Sequence, residues 1–527
     1  MVNKVPVTHS DEFFGFRKLF WPIHNHELKK FLPMVLMMFG FLYIYTILRD
    51  TKDTLIVTAA GAEAIPFLKF WGTLPMSVLF VLVYAKLSNI LKTEALFYAV
   101  IAPFLIFFSV FGFFIYPNLE LVSPTQTADA LQIFVEANLP DRMHDTFTKL
   151  ISVFRVWPYA LFYILSELWG SMGISLLFWQ FANQITRPME AKRFYAGFGQ
   201  LGNLALVASG ASIIYFSDIR SSVPAGVDAW GESLRWLMGA VTVFCVVIML
   251  AYRWMNQNVL TDPTLYTPIN KKNAKEKLKL SLKESFLFLT RSRYLGCIVL
   301  IVLGYGISIN LIEIVWKSQL KIQFPNENDY NTFMGYFSLF TGIATLILVT
   351  LGGHVIRRLG WFIAAISAPL MILVTGAIFF AFVMYEEGLQ GILPYSPVWI
   401  AVIVGATQNI LSKATKYSLF DPTKEMAYIP LDQESKVKGK AAIDVVGGRL
   451  GKSGGGIVLQ VVLMFGTIAN NLPVLLFIVG VIVAAWLYAV VSLNKRYTEK
   501  LREIGEPDET SAGTAGMGVG GKAGQPA

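Results

Sequence analysis

Long apolar runs separated by short polar segments dominate the chain. A helix that crosses about 30 Å of hydrocarbon needs roughly 20 mostly apolar residues, and twelve runs approach that length. They predict spans at 31–48, 65–85, 95–116, 151–184, 195–216, 234–252, 294–316, 331–354, 362–384, 396–412, 441–467 and 471–494. The pattern therefore predicts an all-α membrane protein with twelve transmembrane helices.

The widest polar loop divides these spans into two sets of six. A short pattern, Gly-x-Leu-Gly followed by a polar residue, begins at Gly199 and again at Gly448, at matching places in the two sets, which gives weak support for an internal repeat. Two parallel six-helix halves with a site at their interface are typical of major-facilitator-like transporters. The predicted organisation is an N-terminal segment 1–30, an N-terminal half 31–252, a basic linker 253–293, a C-terminal half 294–494, and a tail 495–527 that we expect to be disordered from about residue 505.

Composition and charge agree with a membrane location. Only 15% of the residues are charged and the mean hydropathy is +0.55, whereas soluble proteins contain about 25% charged residues. The terminus side of the twelve-span scheme holds 32 of the 44 lysines and arginines, so the positive-inside rule predicts cytoplasmic termini. The first thirty residues resemble neither a cleavable signal nor a transit peptide, which favours a bacterial inner membrane.

The remaining composition excludes several classes of protein. We interpret the basic linker as a topology signal rather than a grip on anionic lipid or nucleic acid, so no nucleic-acid partner is expected. Two cysteines cannot build a disulfide scaffold. The five histidines show no metal-ligand spacing. We expect no metal and no cofactor.

Ionisable residues inside the predicted spans are the first candidates for function, since each costs about 2.5–3.5 kcal/mol to insert. Glu167 lies deep in the fourth run and must pair with a cation or line a wet cavity. Lys69 and Arg155 lie nearer the ends of their runs, where long side chains can also reach the membrane surface. Glu313 lies near the end of the seventh run, where Lys317 one turn later is a possible partner.

A glycine-rich stretch at 444–456 carries two further cations, Arg449 and Lys452. It lacks the first glycine and the preceding strand of a nucleotide-binding P-loop, so we reject an ATPase. Glycines within a membrane run permit close helix packing or local unwinding beside these cations, which suits a polyanion. Polar side chains expected to face a cavity include Asn183, Asn203, Asn310 and Asn409. The residues alone predict a transporter of an anionic solute.

Several longer motifs resemble the ATP/ADP translocase family of obligate intracellular bacteria and plastids. The resemblance covers about residues 20–495. Its motifs are YTILRDTKDT (45–54), SELWGS (166–171), FWQFAN (178–183), NLIEIVWKS (310–318), KYSLFDPTKEMAYIPLD (416–432) and KVKGKAAIDVV (436–446).

The resemblance implies a twelve-helix antiporter, not an enzyme, that exchanges ATP for ADP and imports host ATP. It places the functional charges on Lys69, Glu167, Glu313 and Lys452. Additional substrate contacts are expected from Arg155, Asn183, Asn203, Asn310, Asn409 and Arg449. The expected partners are ATP, ADP and the lipid bilayer, with phosphate as an open addition and a monomer as the expected state. The alternatives are a proton-coupled nucleotide importer of the same family and, from another class, a multipass membrane enzyme or a nucleotide-sensing receptor.

Overall fold

The computed structural model of the protein describes residues 23–503 except 222, 225, 267–291, 393, 433–438, 440–442 and 444–447. Most of the predicted basic linker and the predicted disordered tail lie outside these residues. The described part of the chain forms helices and connecting turns, with no strand. The expectation of an all-α protein is confirmed.

Fourteen helices of six residues or more, some of them interrupted by π-helical turns, make up the described structure. They are α1 (Leu28–Ala60), α2 (Ala64–Ile90), α3 (Thr93–Val122), α4 (Thr125–Asn138), α5 (Asp141–Arg155), α6 (Trp157–Ile185), α7 (Pro188–Ser217), α8 (Ala229–Asn258), α9 (Arg293–Gln323), α10 (Glu327–Met384), α11 (Pro397–Thr415), α12 (Asp421–Met426), α13 (Gly448–Leu463) and α14 (Leu472–Glu503).

Nine stretches of the described chain are long and apolar enough to cross a membrane. One of them, α10, contains Gly360 at φ 80° and ψ 173°, where the chain turns sharply between two helices, 327–359 and 361–384. The predicted tenth and eleventh spans coincide with α11 and α13, which are not among the nine. The protein is a multi-pass membrane protein, and the count of twelve stays a prediction.

Two predicted boundaries differ from the structure in ways that bear on the site. The first span was expected to end at residue 48, but α1 continues to Ala60 with Asp50, Lys52 and Asp53 buried. The fourth span was expected to begin at 151. The chain instead breaks between α5 and α6, so that Arg155 ends one helix and Trp157 begins the next.

The N-terminal helices α1–α8 and the C-terminal helices α9–α14 meet most closely where α7 packs against α10. A Cβ atom added to Gly210 would lie 2.5 Å from the Leu339 backbone nitrogen and 2.7 Å from the Gly335 carbonyl oxygen. Added to Gly342, it would lie 2.9 Å from the Val207 side chain. Because glycine has no Cβ, the two backbones approach almost to contact here.

The helix ends define two faces of the bundle. At the face where α1 begins, here called the N-terminal face, the Lys30 ammonium donates to the Leu265 carbonyl oxygen at 3.1 Å. At the opposite face, the Thr54 hydroxyl near the end of α1 donates to Asn331 Oδ1 at 2.9 Å near the start of α10. Helices α1 and α9 run in the same direction, because α10 begins beside the end of α1 and α9 ends at Gln323, just before α10 begins at Glu327.

Candidate functional site

A cavity of about 390 Å³ lies between the two halves, within the range of about 300–1,000 Å³ typical of small-molecule sites. Residues from α1, α2, α6, α9, α11 and the segments that follow α11 line it. Among the lining residues that the structure describes, four are carboxylates and seven are cationic. The carboxylates are Asp53, Glu167, Glu313 and Asp421, and the cations are Arg49, Lys52, Lys69, Lys317, Lys413, Lys416 and Lys424.

π-Helical turns mark three of the helices that line the cavity. One runs over Leu68–Thr73 and contains Lys69, another covers Gly170–Phe178 directly after Glu167, and a third covers Lys416–Phe420 after α11. A π-helical turn inserts one extra residue into the helical repeat and so redirects the side chains around it. The first turn carries Lys69, and the third carries Lys416, Tyr417 and Phe420, all of which line the cavity.

The deepest part of the cavity is a cluster of buried ion pairs. The Lys52 ammonium contacts Asp53 Oδ1 at 2.8 Å and Glu167 Oε1 at 3.0 Å, and lies 4.0 Å from the centre of the Tyr163 ring. The Lys317 ammonium contacts Asp53 Oδ2 at 2.8 Å and Glu313 Oε1 at 3.4 Å. The side chains of Lys52, Asp53 and Lys317 are each exposed by 3% or less, so these charges depend on one another rather than on solvent.

Two more cations flank this cluster. Lys413 lies 3.5 Å from Glu313 Oε1, with its ammonium 4.5 Å from the centre of the Phe337 ring. Lys69 donates to the uncharged carboxamide oxygen of Asn310 at 2.6 Å. Asn310 in turn donates to the Gly306 carbonyl oxygen at 2.7 Å, which fixes the orientation of its carboxamide.

Arg49 lies one turn before Lys52 on α1 and closes the cavity wall toward α10. Its guanidinium pairs with Asp50, with Nε 2.8 Å from Oδ1, and donates to the Ser338 hydroxyl at 2.6 Å. The Ser338 hydroxyl donates to Asp50 as well. Asp50 is fully buried, so it requires both of these donors.

Aromatic side chains line the part of the cavity nearer the N-terminal face. The Tyr305 ring packs on Phe420 with centroids 5.1 Å apart. The Lys416 ammonium lies 4.7 Å from the centre of the Tyr417 ring and 2.6 Å from Asp421 Oδ2. The cavity thus carries charged side chains at both ends, and the rings of Tyr305, Tyr417 and Phe420 lie at the end nearer α12.

This arrangement suits an elongated anion with an apolar or planar end. The excess of ammonium and guanidinium groups over carboxylates stabilises negative charge, and tyrosine rings offer faces for stacking. Within the part of the chain that the structure describes, no group of three or more His, Cys, Asp or Glu side chains is arranged to hold a metal ion.

The family model described as the TLC ATP/ADP transporter matches residues 7–497. This chain belongs to that family. Among its relatives in the TLC family are ADP,ATP carrier protein 1 of Chlamydia pneumoniae, 51% identical over 96% of this chain and 99% of the relative, and ADP,ATP carrier protein 1 of Rickettsia bellii, 44% identical over 93% and 98%. The chloroplastic ADP,ATP carrier protein 1 of Arabidopsis thaliana is 48% identical over 94% of this chain and 77% of its own length.

Two solved structures share the fold of this TLC-family member, in agreement with the expected major-facilitator-like architecture. A bacterial homologue of the iron transporter ferroportin, in an inward-facing state, matches with a TM-score of 0.53 and 13% identity over 90% of this chain and all of the other. A D-xylose–proton symporter matches with a TM-score of 0.51 and 12% identity over 92% and 99%.

Four of the side chains expected at the site of this TLC-family member meet in the cavity. Lys69, Glu167, Glu313 and Asn310 all line it, although they come from three different helices. Glu167 was expected either to pair with a cation or to line a cavity. It does both, since it pairs with Lys52 and lines the cavity. The position of Lys69 is inconsistent with snorkelling to the membrane surface, because its ammonium points to Asn310 within the bundle.

Other expected contacts lie away from the cavity. Arg155 pairs with Asp129 of α4 at 2.6 Å, and both side chains are more than a third exposed. Asn183 accepts from the Tyr195 hydroxyl at 2.6 Å, Asn409 donates to the Gly405 carbonyl oxygen at 2.9 Å, and Asn203 is half-buried on α7. None of these four lines the described cavity, so the expectation that they contact substrate there is not supported by their positions.

Arg449 and Lys452 belong to α13, but their side chains lie outside the described residues. The backbone of α13 reaches the cavity at Gly451, which packs against Gly306 of α9. The two backbones can approach this closely because neither glycine has a side chain. A Cβ atom added to Gly306 would lie only 2.8 Å from the Gly451 Cα. The helix that carries Lys452 is therefore part of the cavity wall.

The sequence reasoning missed several cavity cations because it assigned them to loops. It counted Arg49, Lys52 and Lys317 on one side of the membrane and Lys413 and Lys416 on the other, whereas all five line the cavity. A signal was available in the motifs 45–54, 310–318 and 416–432, all of which contribute residues to the cavity.

Proposed function

We propose that this protein is an antiporter that exchanges ATP for ADP by alternating access and imports ATP. The observation that carries the proposal is the cavity between the two halves, where, among the lining residues that the structure describes, seven cationic side chains outnumber four carboxylates. Such a lining stabilises the phosphate chain of a nucleotide. The family description and the names of the relatives, ADP,ATP carriers of Chlamydia, Rickettsia and plastids, support the same substrates.

The phosphates would lie at the deep end of the cavity. There Lys69 is held by a neutral carboxamide rather than by a carboxylate, so its charge is available to an anion. Lys413 and Lys452 would supply further charge, with Glu167 and Glu313 holding the lysines in position. The base would lie toward Tyr305 and Phe420, where aromatic rings permit stacking.

Transport would proceed by rocking of the halves 31–252 and 294–494 about this cavity. The concentration of basic residues on the terminus side supports cytoplasmic termini in a bacterial inner membrane. One chain contributes the whole described cavity, which supports a monomer. Inorganic phosphate shares the chemistry of the nucleotide phosphates and is a further candidate solute.

The test is uptake of labelled ATP into liposomes that contain the purified protein. We expect rapid uptake when the vesicles are loaded with ADP and almost none when they are empty. Net uptake into empty vesicles, accelerated by an imposed proton gradient, would instead support a proton-coupled importer. Labelled GTP, NAD and phosphate in the same assay would define the substrate range.

Lys69→Gln should abolish this exchange, because it removes a charge from the phosphate end of the cavity. Lys86→Gln is the matched control, since Lys86 lies on the same helix with an exposed side chain. Nucleotide exchange that persists unchanged in folded Lys69→Gln protein would contradict the assignment of the site.

A further inference from the structure

Six charged side chains form a chain of alternating sign through the deep end of the cavity. Successive contacts measure 3.0, 2.8, 2.8, 3.4 and 3.5 Å. In order, the members of this charge chain are Glu167 of α6, Lys52 and Asp53 of α1, Lys317 and Glu313 of α9, and Lys413 of α11.

The contact between Asp53 and Lys317 is the link of the charge chain that crosses from one half to the other. On its N-terminal side stand two carboxylates and one ammonium, and on its C-terminal side two ammonium groups and one carboxylate. The intact charge chain is neutral. Counted over these six side chains alone, separation at this link leaves one net negative charge with Glu167, Lys52 and Asp53 and one net positive charge with Lys317, Glu313 and Lys413.

This link lies where the halves must part to open the cavity to the opposite face. One residue beyond Asp53, the Thr54 hydroxyl binds Asn331 of α10, and Asn331 donates to the Ser217 hydroxyl of α7 at 2.8 Å. These contacts, like the Asp53–Lys317 pair, join the two halves. Uncompensated charges are costly to leave in a buried, low-dielectric site, so the pair resists separation while the cavity is empty.

We propose that Lys317 is a further phosphate-binding residue. In the empty carrier Asp53 neutralises Lys317. When a nucleotide binds, its phosphate replaces Asp53 as the partner of Lys317, and this replacement makes transport strictly coupled. The inference rests on the proposed function and adds residues to the same site. A bound phosphate compensates the positive charge of the C-terminal half.

The experiment uses liposomes loaded with labelled ADP, with efflux measured in the presence and in the absence of external ATP. The wild-type protein should release ADP only when ATP is present. Asp53→Asn should raise efflux without ATP by about tenfold or more, since it removes the charge that opposes separation. Its apparent affinity for ATP should not fall, because Lys317 remains.

Lys317→Gln should give the same release without ATP but a higher KM for ATP, since it removes the proposed phosphate ligand. If the pair had a purely structural role, the two variants would not differ in their KM for ATP. The double variant Asp53→Asn with Lys317→Gln removes both charges, leaves no unpaired ion, and serves if either single variant fails to fold.

The control is Lys416→Gln with Asp421→Asn, which neutralises a cavity pair of similar contact distance contained within the C-terminal half. This control variant should release ADP only when external ATP is present, even if its rate of exchange differs from that of the wild-type protein. Folded Asp53→Asn protein that retains strict exchange, or that neither exchanges nor leaks, would overturn the inference. Wild-type protein that shows no ATP/ADP exchange would instead overturn the proposed function.

Discussion

Lys69 shows how a single residue can be both buried and available to a ligand. Other deep cations of the cavity, such as Lys52 and Lys317, contact carboxylates, whereas Lys69 donates a hydrogen bond to the Asn310 carboxamide. A carboxamide orients an ammonium through a hydrogen bond without cancelling its charge. Asn310 is therefore expected to act as a positioning residue for Lys69, which the sequence alone did not indicate.

We predict that Asn310→Ala weakens ATP uptake without loss of folded protein. The substitution removes a hydrogen bond to a charged group, worth about 1.5–3 kcal/mol, so the apparent KM for ATP should rise about tenfold or more. The measurement is the ATP dependence of exchange into ADP-loaded liposomes.

Asn183→Ala is the matched control for this prediction. Asn183 was an equal candidate from the sequence, but it binds Tyr195 outside the cavity. Its KM should stay within about twofold of the wild-type value, because a solvent-accessible hydrogen bond contributes little. Equal effects of the two substitutions would contradict the assigned role of Asn310.

At the scale of elements, hydropathy located the membrane helices but could not find their functional ends. The apolar run of α1 stops near residue 48, yet the helix continues because its polar groups find partners inside the protein. The Thr54 and Thr58 hydroxyls bond to carbonyl oxygens one turn back, and Asp50 is satisfied by Arg49 and Ser338. Ser338 comes from distant sequence, as do Glu167 and Lys317, the partners of Lys52 and Asp53. A window of neighbouring residues cannot reveal such partners.

The contact of α7 with α10 yields a prediction about glycine. Gly210→Ala should lower the melting temperature of the purified protein and slow exchange, because its new Cβ would meet backbone atoms of Leu339 and Gly335 at 2.5 and 2.7 Å. Backbone cannot move aside as a side chain can, so the two halves must separate slightly at this point.

Gly199→Ala on the same helix is the control, because it changes the helix propensity in the same way without introducing a steric clash. A Cβ at Gly199 meets open space, so the usual preference of helices for alanine should stabilise the protein by about 0.5–1 kcal/mol. Thermal unfolding of the two variants should shift in opposite directions. A rise in melting temperature for Gly210→Ala would show that the halves do not pack this closely.

For the whole molecule, charge reports on both topology and transport, but the two signals overlap in the sequence. The positive-inside rule weighs cations near helix ends, and Lys413 and Lys416 were counted that way although they line the cavity. Cations that set the topology can be told apart from cations that line the cavity only when it is known which helices pack together. The motif resemblance did find the site helices, because the motifs 45–54, 310–318 and 416–432 all contribute cavity residues.

The cavity and the predicted topology together define which side of the membrane reaches the substrate site in this state. Tyr417 lies at the aromatic end of the cavity, close to the N-terminal face, and is 45% exposed. Tyr395 precedes α11 at the other end of that helix and is 66% exposed. Cysteines placed at these two positions should therefore react with a membrane-impermeant thiol reagent from opposite sides.

We predict that Tyr417→Cys is labelled from the cytoplasmic side and Tyr395→Cys from the outside. The native Cys245 and Cys297 are buried and would be replaced beforehand to remove background. ADP or ATP should slow labelling at 417 and leave labelling at 395 unchanged, because a nucleotide in the cavity covers the first position and not the second. Labelling of Tyr395→Cys from the cytoplasm would reverse the predicted orientation, and labelling at 417 that nucleotides do not slow would place the substrate elsewhere.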